Sequence, residues 1–441
     1  MIMKENIIII ALLISLLGAA GAQEIHKLER YIITIDGNTR EKSLIREMDL
    51  KEGMEFADRA SLEKAVLRQQ QDLVNLRVFN EISMTLSEGE PQGETTVYSV
   101  QVHAEDSWNI YPIPYPKYNS NDGVRLGLKL FYNNAFGTLN DLYLGTNITF
   151  KYDNNDQSWD NTSWTFNPQL NNVKIGNLEY DFGFMQQKSY AEKKEDDVYL
   201  ERYNYYNTSA DVRTTMNFGA DNKFYYQVKP GIGINYSYSG DGIGDNEEPF
   251  YLSFSHGGGY SKVDWRANFR EGFSASVGNS IRYVNKSVTK NQVKVFIDGQ
   301  SSFYKIINPR MNYMTRASGT VSFNDEMNGL GINLRGVEDS TMFGLAGLFL
   351  NNDVTFSVIQ WEGVGEAQFQ PFFDIGLSRR EGYTVDWNQD LRYGTGADFI
   401  LYLDKLKGLH ARASVGVDLS SDLPFSDFGK YELEITSSLH Y

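Results

Sequence analysis

Residues 409–419, LHARASVGVDL, alternate apolar and polar side chains without a break. The final segment, YELEITSSLHY at 431–441, follows the same pattern, and its apolar face consists of Tyr431, Leu433, Ile435, Leu439 and Tyr441. Successive side chains of a β-strand point to opposite faces of the sheet. The two segments therefore predict strands with one apolar and one charged face. A soluble β-sandwich also alternates, but its polar face looks outward to bulk water.

The composition favours a membrane β-barrel over that sandwich. Among 441 residues there are 39 Gly, 28 Tyr, 26 Phe and 6 Trp, interleaved with polar residues. A membrane barrel requires such a mixture because its lipid and lumen faces alternate. Past residue 22, no apolar run approaches the roughly 20 residues of a spanning helix. The net charge of −16 disfavours nucleic acid as a partner, and the lack of cysteine excludes disulfides, thiolate metal sites and cysteine nucleophiles.

The N-terminus has the pattern of an export signal. Lys4 precedes the apolar segment Ile7–Leu17, and Ala20-Gly-Ala22 fits a small-x-small cleavage site. An apolar segment of about 11 residues is too short to span a bilayer, so residues 1–22 are predicted to be a cleaved signal peptide. An uncleaved anchor is the alternative.

Residues 23–105 predict a small α/β domain that precedes the barrel of residues 106–441. The predicted order is strand, helix, helix, strand, strand, which fits one compact domain. Its two histidines, His26 and His103, have no Cys or neighbouring His to form a catalytic or metal site. The predicted elements are a strand at 31–35 ended by the turn 36–38, helices at 41–50 and 62–76, and strands at 79–86 and 96–103.

Residues 108–441 have room for sixteen strands. Each would have about 21 residues with its connection, enough for a spanning strand of 9–11 residues and a loop. Short connections are predicted at 134–138, 171–175, 219–222, 307–310, 361–365 and 405–408. Longer ones are predicted at 190–197, 239–248, 325–343 and 379–389. The fold class is therefore a 16-stranded antiparallel transmembrane β-barrel after one small α/β domain, with the short turns and both barrel ends in the periplasm.

The predicted first strand, residues 108–116, contains prolines at every second position: Pro112, Pro114 and Pro116. Alternate residues of an antiparallel strand send their N–H groups to the same side, so one edge has lost three donors. The other edge would pair with the second strand, residues 124–132. The depleted edge would face the last strand, residues 431–441, and weaken that seam. Alternatively, residues 112–116 form a polyproline-like linker and the barrel begins later.

Several motifs resemble a known family. Residues 27–105 look like a single POTRA (polypeptide-transport-associated) domain, through Ile35-Asp-Gly-Asn38, Gly53, Phe56 and the segment 73–80. The barrel resembles the BamA/TamA (bacterial surface antigen) family of outer-membrane assembly proteins. The matching segments are 133–137 (NNAFG) after the second strand, 334–337 (LRGV) in the loop five strands before the C-terminus, and 372–376 (FFDIG) two strands later. The sequence departs from the family in having one POTRA domain, Val337 in place of an aromatic residue, and Tyr441 in place of Phe.

Arg335 and Asp374 are the candidate site within this resemblance. On the thirteenth strand, alternation places Asp374 with Phe372 and Gly376 on the lumen face. The loop that carries Arg335 and Gly336 is long enough to fold inward, where arginine and carboxylate could form a bidentate bond. These five residues are predicted to lock the loop to the barrel. Alternatively, Arg335 lies in solvent and Asp374 merely hydrates the lumen.

The resemblance implies a factor that inserts or passes other polypeptides through the barrel and its first/last-strand seam. The expected partners are the outer-membrane bilayer, unfolded or nascent outer-membrane or secreted polypeptides, and periplasmic or lipoprotein partners at the POTRA domain. A structural or passive-pore barrel is the alternative. We expect no enzyme activity, cofactor, metal or nucleic acid partner. The acidic loop 241–248 has oxygens for Ca²⁺ but lacks the spacing of an EF-hand, and a solvated loop is the other reading.

Overall fold

A computed structural model describes residues 25–439, except 92, 94, 116, 120–122, 154–157, 196–197, 220–221, 242, 244–246, 287–290, 324–325, 328, 338–340, 383, 388–389, 407–408 and 421–430. The chain divides into two compact units between Asp106 and Ser107. This boundary lies one residue beyond the predicted one. No helix in the described part of the chain is both long enough and apolar enough to cross a bilayer.

The first unit is a four-stranded sheet with two helices. The sheet order is β2-β1-β4-β3, with β1 parallel to β4 and the other neighbours antiparallel. The predicted order of elements is confirmed, with the addition of β2, whose two residues are too few to show a periodic pattern. The elements are β1 (Ile25–Asp36), α1 (Glu41–Glu47), β2 (Glu55–Phe56), α2 (Arg59–Asn75), β3 (Phe79–Glu88) and β4 (Thr95–Asp106).

The helices bury the apolar positions that define their periodicity. α2 begins after Asp58, whose side chain accepts a hydrogen bond from the Ser61 N–H at 2.6 Å and so satisfies one of the unpaired donors of the first turn. Leu62, Val66 and Leu73 on one face of α2 are buried. In α1, Leu44 is buried but Ile45 is 36% exposed. α1 ends at Glu47 and Met48 has an extended backbone, so this helix is three residues shorter than the one predicted at 41–50.

Asp106 fastens the end of β4 to the turn between β1 and α1. Its carboxylate accepts hydrogen bonds from the Asn38 N–H (2.6 Å), the Thr39 N–H (2.9 Å) and the Thr39 hydroxyl (2.6 Å). Gly37 has φ +149°, and a Cβ there would lie 2.4 Å from the Asp106 carboxyl carbon. The turn therefore needs glycine, and Asp106 belongs to the N-terminal unit.

We expect residues 23–106 to fold alone. In this fragment, Asp106→Ala should lower the free energy of unfolding by about 1–3 kcal/mol, because three donors lose their acceptor. Urea unfolding followed by circular dichroism measures the change. Glu105→Ala is the control, since Glu105 is exposed on the same strand and should change stability by less than about 0.5 kcal/mol. An unfolded fragment, or equal effects of the two substitutions, would contradict this expectation.

The second unit is a closed barrel in which each strand pairs with its sequence neighbour and the last strand lies beside the first. Counting β5 and β6 as one interrupted strand, the described residues form sixteen strands, as predicted. The strands are β5 (Ile110–Pro114), β6 (Lys117–Asn119), β7 (Gly123–Tyr132), β8 (Asp141–Asp153), β9 (Ser158–Ile175), β10 (Leu178–Glu195), β11 (Val198–Phe218), β12 (Phe224–Asp241), β13 (Phe250–Arg266), β14 (Phe269–Asn285), β15 (Gln292–Asn308), β16 (Met311–Ser322), β17 (Ala346–Trp361), β18 (Gly365–Arg379), β19 (Leu391–Leu403), β20 (Leu409–Asp418) and β21 (Tyr431–Leu439).

The proline-containing segment is part of the barrel. In β5, Ile110 pairs with Tyr132 and Pro114 with Leu128, both on β7. β6 continues along the same neighbour, with Asn119 opposite Gly123. The alternative of a polyproline-like linker is therefore wrong for the described residues 110–114.

Several strands are longer than predicted. β11 has 21 residues, or about 70 Å at 3.4 Å per residue, whereas a bilayer core of about 30 Å needs 9–11. Most of the predicted loop 190–197 is strand, and β9 runs through the predicted turn at 171–175. The pairing of β10 with β11 continues to Glu195 opposite Val198. Cross-strand hydrogen bonds satisfy the backbone whatever the side-chain polarity, so a charged segment does not end a paired hairpin.

Candidate functional site in the barrel lumen

β18 carries the predicted site on its inner face. Gln368, Phe372 and Asp374 are buried, whereas Phe373 between the last two is 40% exposed. The side chains of β18 therefore alternate between the lumen and the outer face as predicted, with Asp374 facing the lumen. Its neighbours β17 and β19 pair with it through Asn351 and Gly394, which flank Asp374.

The loop between β16 and β17 folds against this wall through its own apolar residues. A 3₁₀ helix at Leu330–Asn333 opens the inward segment, and the Leu330 N–H donates to the Met342 carbonyl at 2.9 Å. Val337, where the resembling family has an aromatic residue, is fully buried. The buried cluster consists of Leu330, Leu334, Val337, Met342 and Phe349.

Arg335 reaches Asp374 from this loop. Its backbone N–H and Nε donate to Asp374 Oδ2 at 3.0 and 2.9 Å, and its Nη2 donates to Asp374 Oδ1 at 2.8 Å. The two side-chain bonds form the bidentate fork that a planar guanidinium makes with a carboxylate. The solvated arrangement of Arg335 is therefore not the one observed.

Two further carboxylates contact the same guanidinium. Arg335 Nη2 lies 2.6 Å from Asp353 Oδ1, and Nη1 lies 3.2 Å from Asp398 Oδ2. Both carboxylates are buried, as is Asp374. Arg412 Nε approaches Asp398 Oδ2 at 3.5 Å. Sequence analysis missed Asp353 and Asp398. Both residues point inward from β17 and β19, and this parity was an available signal. Which inward carboxylates meet around the loop is decided only by the closed barrel.

Close contacts of the Phe372 ring and of three glycines fix the position of the loop. The Arg335 guanidinium carbon lies 4.0 Å from the centroid of the Phe372 ring. Gly336 has φ +81°, and a Cβ there would lie 2.5 Å from the Val417 nitrogen. A Cβ on Gly376 would lie 2.6 Å from Leu334 Cδ1, and one on Gly394 would lie 1.9 Å from the Arg335 carbonyl oxygen. The five predicted residues of the loop site thus lie together, with no space for larger side chains at its glycines.

The charge balance of the site depends on Arg335. Asp353, Asp374 and Asp398 bring three carboxylates together, and only Arg335 contacts all of them. Buried charges are stable only when they are paired and hydrogen-bonded. The arrangement can therefore hold the loop in the lumen electrostatically, and removal of the arginine leaves repelling carboxylates.

We expect Arg335→Ala and Asp374→Ala each to destabilise the folded barrel by about 3–5 kcal/mol, the usual cost of breaking a buried pair. The double variant should be far less destabilised than the sum, because the two residues share one interaction. Unfolding in urea from lipid vesicles measures each value.

The matched control for this cycle is the exposed pair Lys305–Glu271, at 3.1 Å. Its alanine variants should cost about 0–1 kcal/mol. Additive effects of Arg335→Ala and Asp374→Ala would refute the coupling.

The first strand has two unequal edges. The Tyr115 N–H donates to the Gly127 carbonyl at 2.9 Å, and the Asn133 N–H donates to the Asn109 carbonyl at 2.9 Å. In this antiparallel register, odd-numbered residues bond to β7, so the nitrogens of Pro112 and Pro114 point to the opposite edge. The Tyr115 ring also packs over Gly127 on β7. Neither Pro112 nor Pro114 offers a donor to the edge that faces the last strand.

The remaining predicted seam residues lie on β21 or beyond the described residues. Tyr431, Leu433 and Ile435 pair with Val417, Val415 and Ala413 of β20. Outside the described residues lie Pro116, Tyr441, the predicted signal peptide 1–22, and residues 242 and 244–246 of the acidic loop. Glu248, which is described, forms an ion pair with Lys286 at 2.5 Å.

No family model matches the chain, and no curated protein sequence does. Among solved structures, CdiB from Escherichia coli aligns with a TM-score of 0.64 and 14% identity, covering 95% of this chain and 76% of that one. CdiB from Acinetobacter baumannii aligns with a TM-score of 0.59 and 14% identity, covering 95% and 74%. BamA from Haemophilus ducreyi lacking POTRA domains 1–3 aligns with a TM-score of 0.48 and 13% identity, covering 94% and 84%. The two CdiB alignments show that this chain is similar in fold to CdiB, and its own structure has the small N-terminal α/β domain and sixteen-stranded barrel that were predicted.

Proposed function

We propose that this protein is an outer-membrane barrel that binds unfolded client polypeptides through its N-terminal domain and inserts or passes them through the barrel and its first/last-strand seam. The signal peptide would direct it to the outer membrane, with the N-terminal domain in the periplasm. The observation that carries the proposal is the donor-depleted edge of β5 at the closure of a barrel with this fold. The protein has no enzymatic role in this proposal.

The edge of the N-terminal sheet supports client binding. Among the described strands, β3 (Phe79–Glu88) pairs with β4 alone and so stands at the end of the sheet order. On its outer edge the Gln70 side chain of α2 donates to the Ile82 carbonyl at 3.2 Å and accepts from the Met84 N–H at 3.4 Å. An added strand would displace this side chain or pair with the rest of the edge. Addition of a strand to such an edge uses main-chain hydrogen bonds and accepts varied sequences. The same edge would serve periplasmic or lipoprotein partners.

The seam supports lateral passage. Each missing backbone donor removes about 1 kcal/mol of net hydrogen-bond stabilisation, and Pro112 and Pro114 lie on the edge directed away from β7. The β7 side is held by backbone bonds and by the Tyr115 ring, whose centroid lies 4.9 Å from Lys129 Nζ. Opening should therefore begin between β5 and β21 and not between β5 and β7.

We expect disulfide closure of the seam to abolish activity. The chain has no cysteine. Ile113 shares a face with Lys129, and the residues of β21 on that lumen face are Glu432 and Glu434, opposite Gly416 and Ser414. Ile113→Cys combined with Glu432→Cys or Glu434→Cys therefore introduces the only pair. Cross-linking is scored on non-reducing gels, and delivery of client proteins to the outer membrane is measured before and after reduction. The control pair joins β5 to β7 through Ile113→Cys and Lys129→Cys, which face each other. Full activity of the oxidised seam pair would refute lateral passage.

Depletion distinguishes this function from that of a passive pore. Loss of many unrelated outer-membrane or secreted proteins, measured by proteomics of the depleted outer membrane, is the outcome expected for a client-handling factor. A permeability defect with an unchanged proteome would favour the structural or passive-pore barrel. Rescue by the wild type but not by Arg335→Ala would tie the client defect to the lumen site.

A further inference from the structure

A short turn at the other end of the barrel also reaches into the lumen. β13 ends at Arg266 and β14 begins at Phe269, so the connection is Ala267–Asn268. Asn268 Nδ2 donates to Glu366 Oε2 on β18 at 2.7 Å. Three strands, β15, β16 and β17, separate β14 from β18 along the wall. The contact therefore crosses the barrel opening and does not follow the sheet.

The turn is held in this position by its own flanking residues. Trp265 and Phe269 are buried. The Arg270 guanidinium lies 4.9 Å from the Trp265 ring centroid and 5.1 Å from that of Tyr304, and its Nη1 donates to the Tyr304 hydroxyl at 3.2 Å. Asn312 Nδ2 donates to the Arg270 carbonyl at 2.8 Å.

The backbone of the turn is itself strained. Ala267 has φ +52°, a left-handed conformation that costs a non-glycine residue about 1–2 kcal/mol. Such a conformation persists only where the surrounding contacts over-determine it. The contacts of Asn268 and Arg270 are those that hold Ala267 in place.

A narrow cavity remains between this turn and the wall. Its volume is about 60 Å³, space for a few water molecules. Its lining includes Trp265, Arg270, Thr355, Gln368, Gln370 and Tyr402. The cavity thus lies between the turn and the inner face of β18, which contributes Gln368 and Gln370.

The inner face of β18 connects the turn to the Arg335 site. Gln368 Nε2 donates to Glu366 Oε1 at 3.0 Å, and Gln370 Nε2 donates to Asp398 Oδ2 at 3.2 Å. Asp398 in turn accepts from Arg335. One strand therefore holds the long loop at one end of the lumen and the short turn at the other.

We propose that the β13–β14 turn is a second closure of the lumen, latched by Asn268 on Glu366 at the end opposite the Arg335 loop. The latched turn narrows the access to the cavity from this end of the barrel. Release of the latch exposes the cavity from the turn side while Arg335 stays in place. This inference concerns the barrel itself and does not depend on the proposed function.

Thiol accessibility tests the latch. Thr355 is buried and lines the cavity, and in a chain without cysteine Thr355→Cys supplies a single reporter. The rate of its modification by a membrane-impermeant thiosulfonate is measured on detergent-solubilised folded barrel, with folding checked by heat-modifiable gel migration. Asn268→Ala should raise this rate by about ten-fold or more, the change expected when a hydrogen bond to a charged acceptor is lost.

Glu366→Ala is the second variant and should give a similar rise. The pair combined should rise no further than either alone, because both remove the same bond. Asn308→Ala is the matched control, since Asn308 lies at a turn of the same barrel end and accepts a hydrogen bond from Arg310 within that turn. Unchanged rates in both latch variants, a rise in the control equal to theirs, or a reporter that is already fully reactive without them would overturn the proposal.

Discussion

One guanidinium contacts the carboxylates that three different strands direct into the lumen. Asp353, Asp374 and Asp398 come from β17, β18 and β19, and Arg335 comes from a loop that enters between them. Charges excluded from water must be compensated locally. The carboxylates of the barrel wall therefore set the position of the loop that carries Arg335. The glycines that let the backbone approach, Gly336 above all, are a consequence of the same constraint.

β18 organises the interior through the polar residues of its inner face. Asp374 holds the long loop, Gln370 joins Asp398, and Glu366 receives the short turn from across the barrel. In the proposed second closure, these contacts make one strand the common anchor of both ends.

The first strand combines a firm edge with a weak one. Odd residues such as Tyr115 bond to β7, whereas Pro112 and Pro114 direct their substituted nitrogens to the closing edge. A barrel otherwise abolishes free sheet edges, so a seam that lacks backbone donors is the place where such a sheet opens most easily. Lateral passage in the proposed function uses this difference between the two edges.

The sequence by itself determined the fold class, the number of strands and the inward parity of Asp374, because side-chain alternation and turn composition are local properties. The pairing of Arg335 with Asp374 was predicted from the resemblance of residues 334–337 and 372–376 to a known family and not from periodicity. Strand lengths were underestimated, since pairing between β10 and β11 depends on a partner strand and not on side-chain polarity. Asp353, Asp398 and the Asn268–Glu366 contact were decided only by the tertiary structure. Closure of the barrel sets which inward side chains meet across the lumen, and no periodicity along one strand encodes that distance.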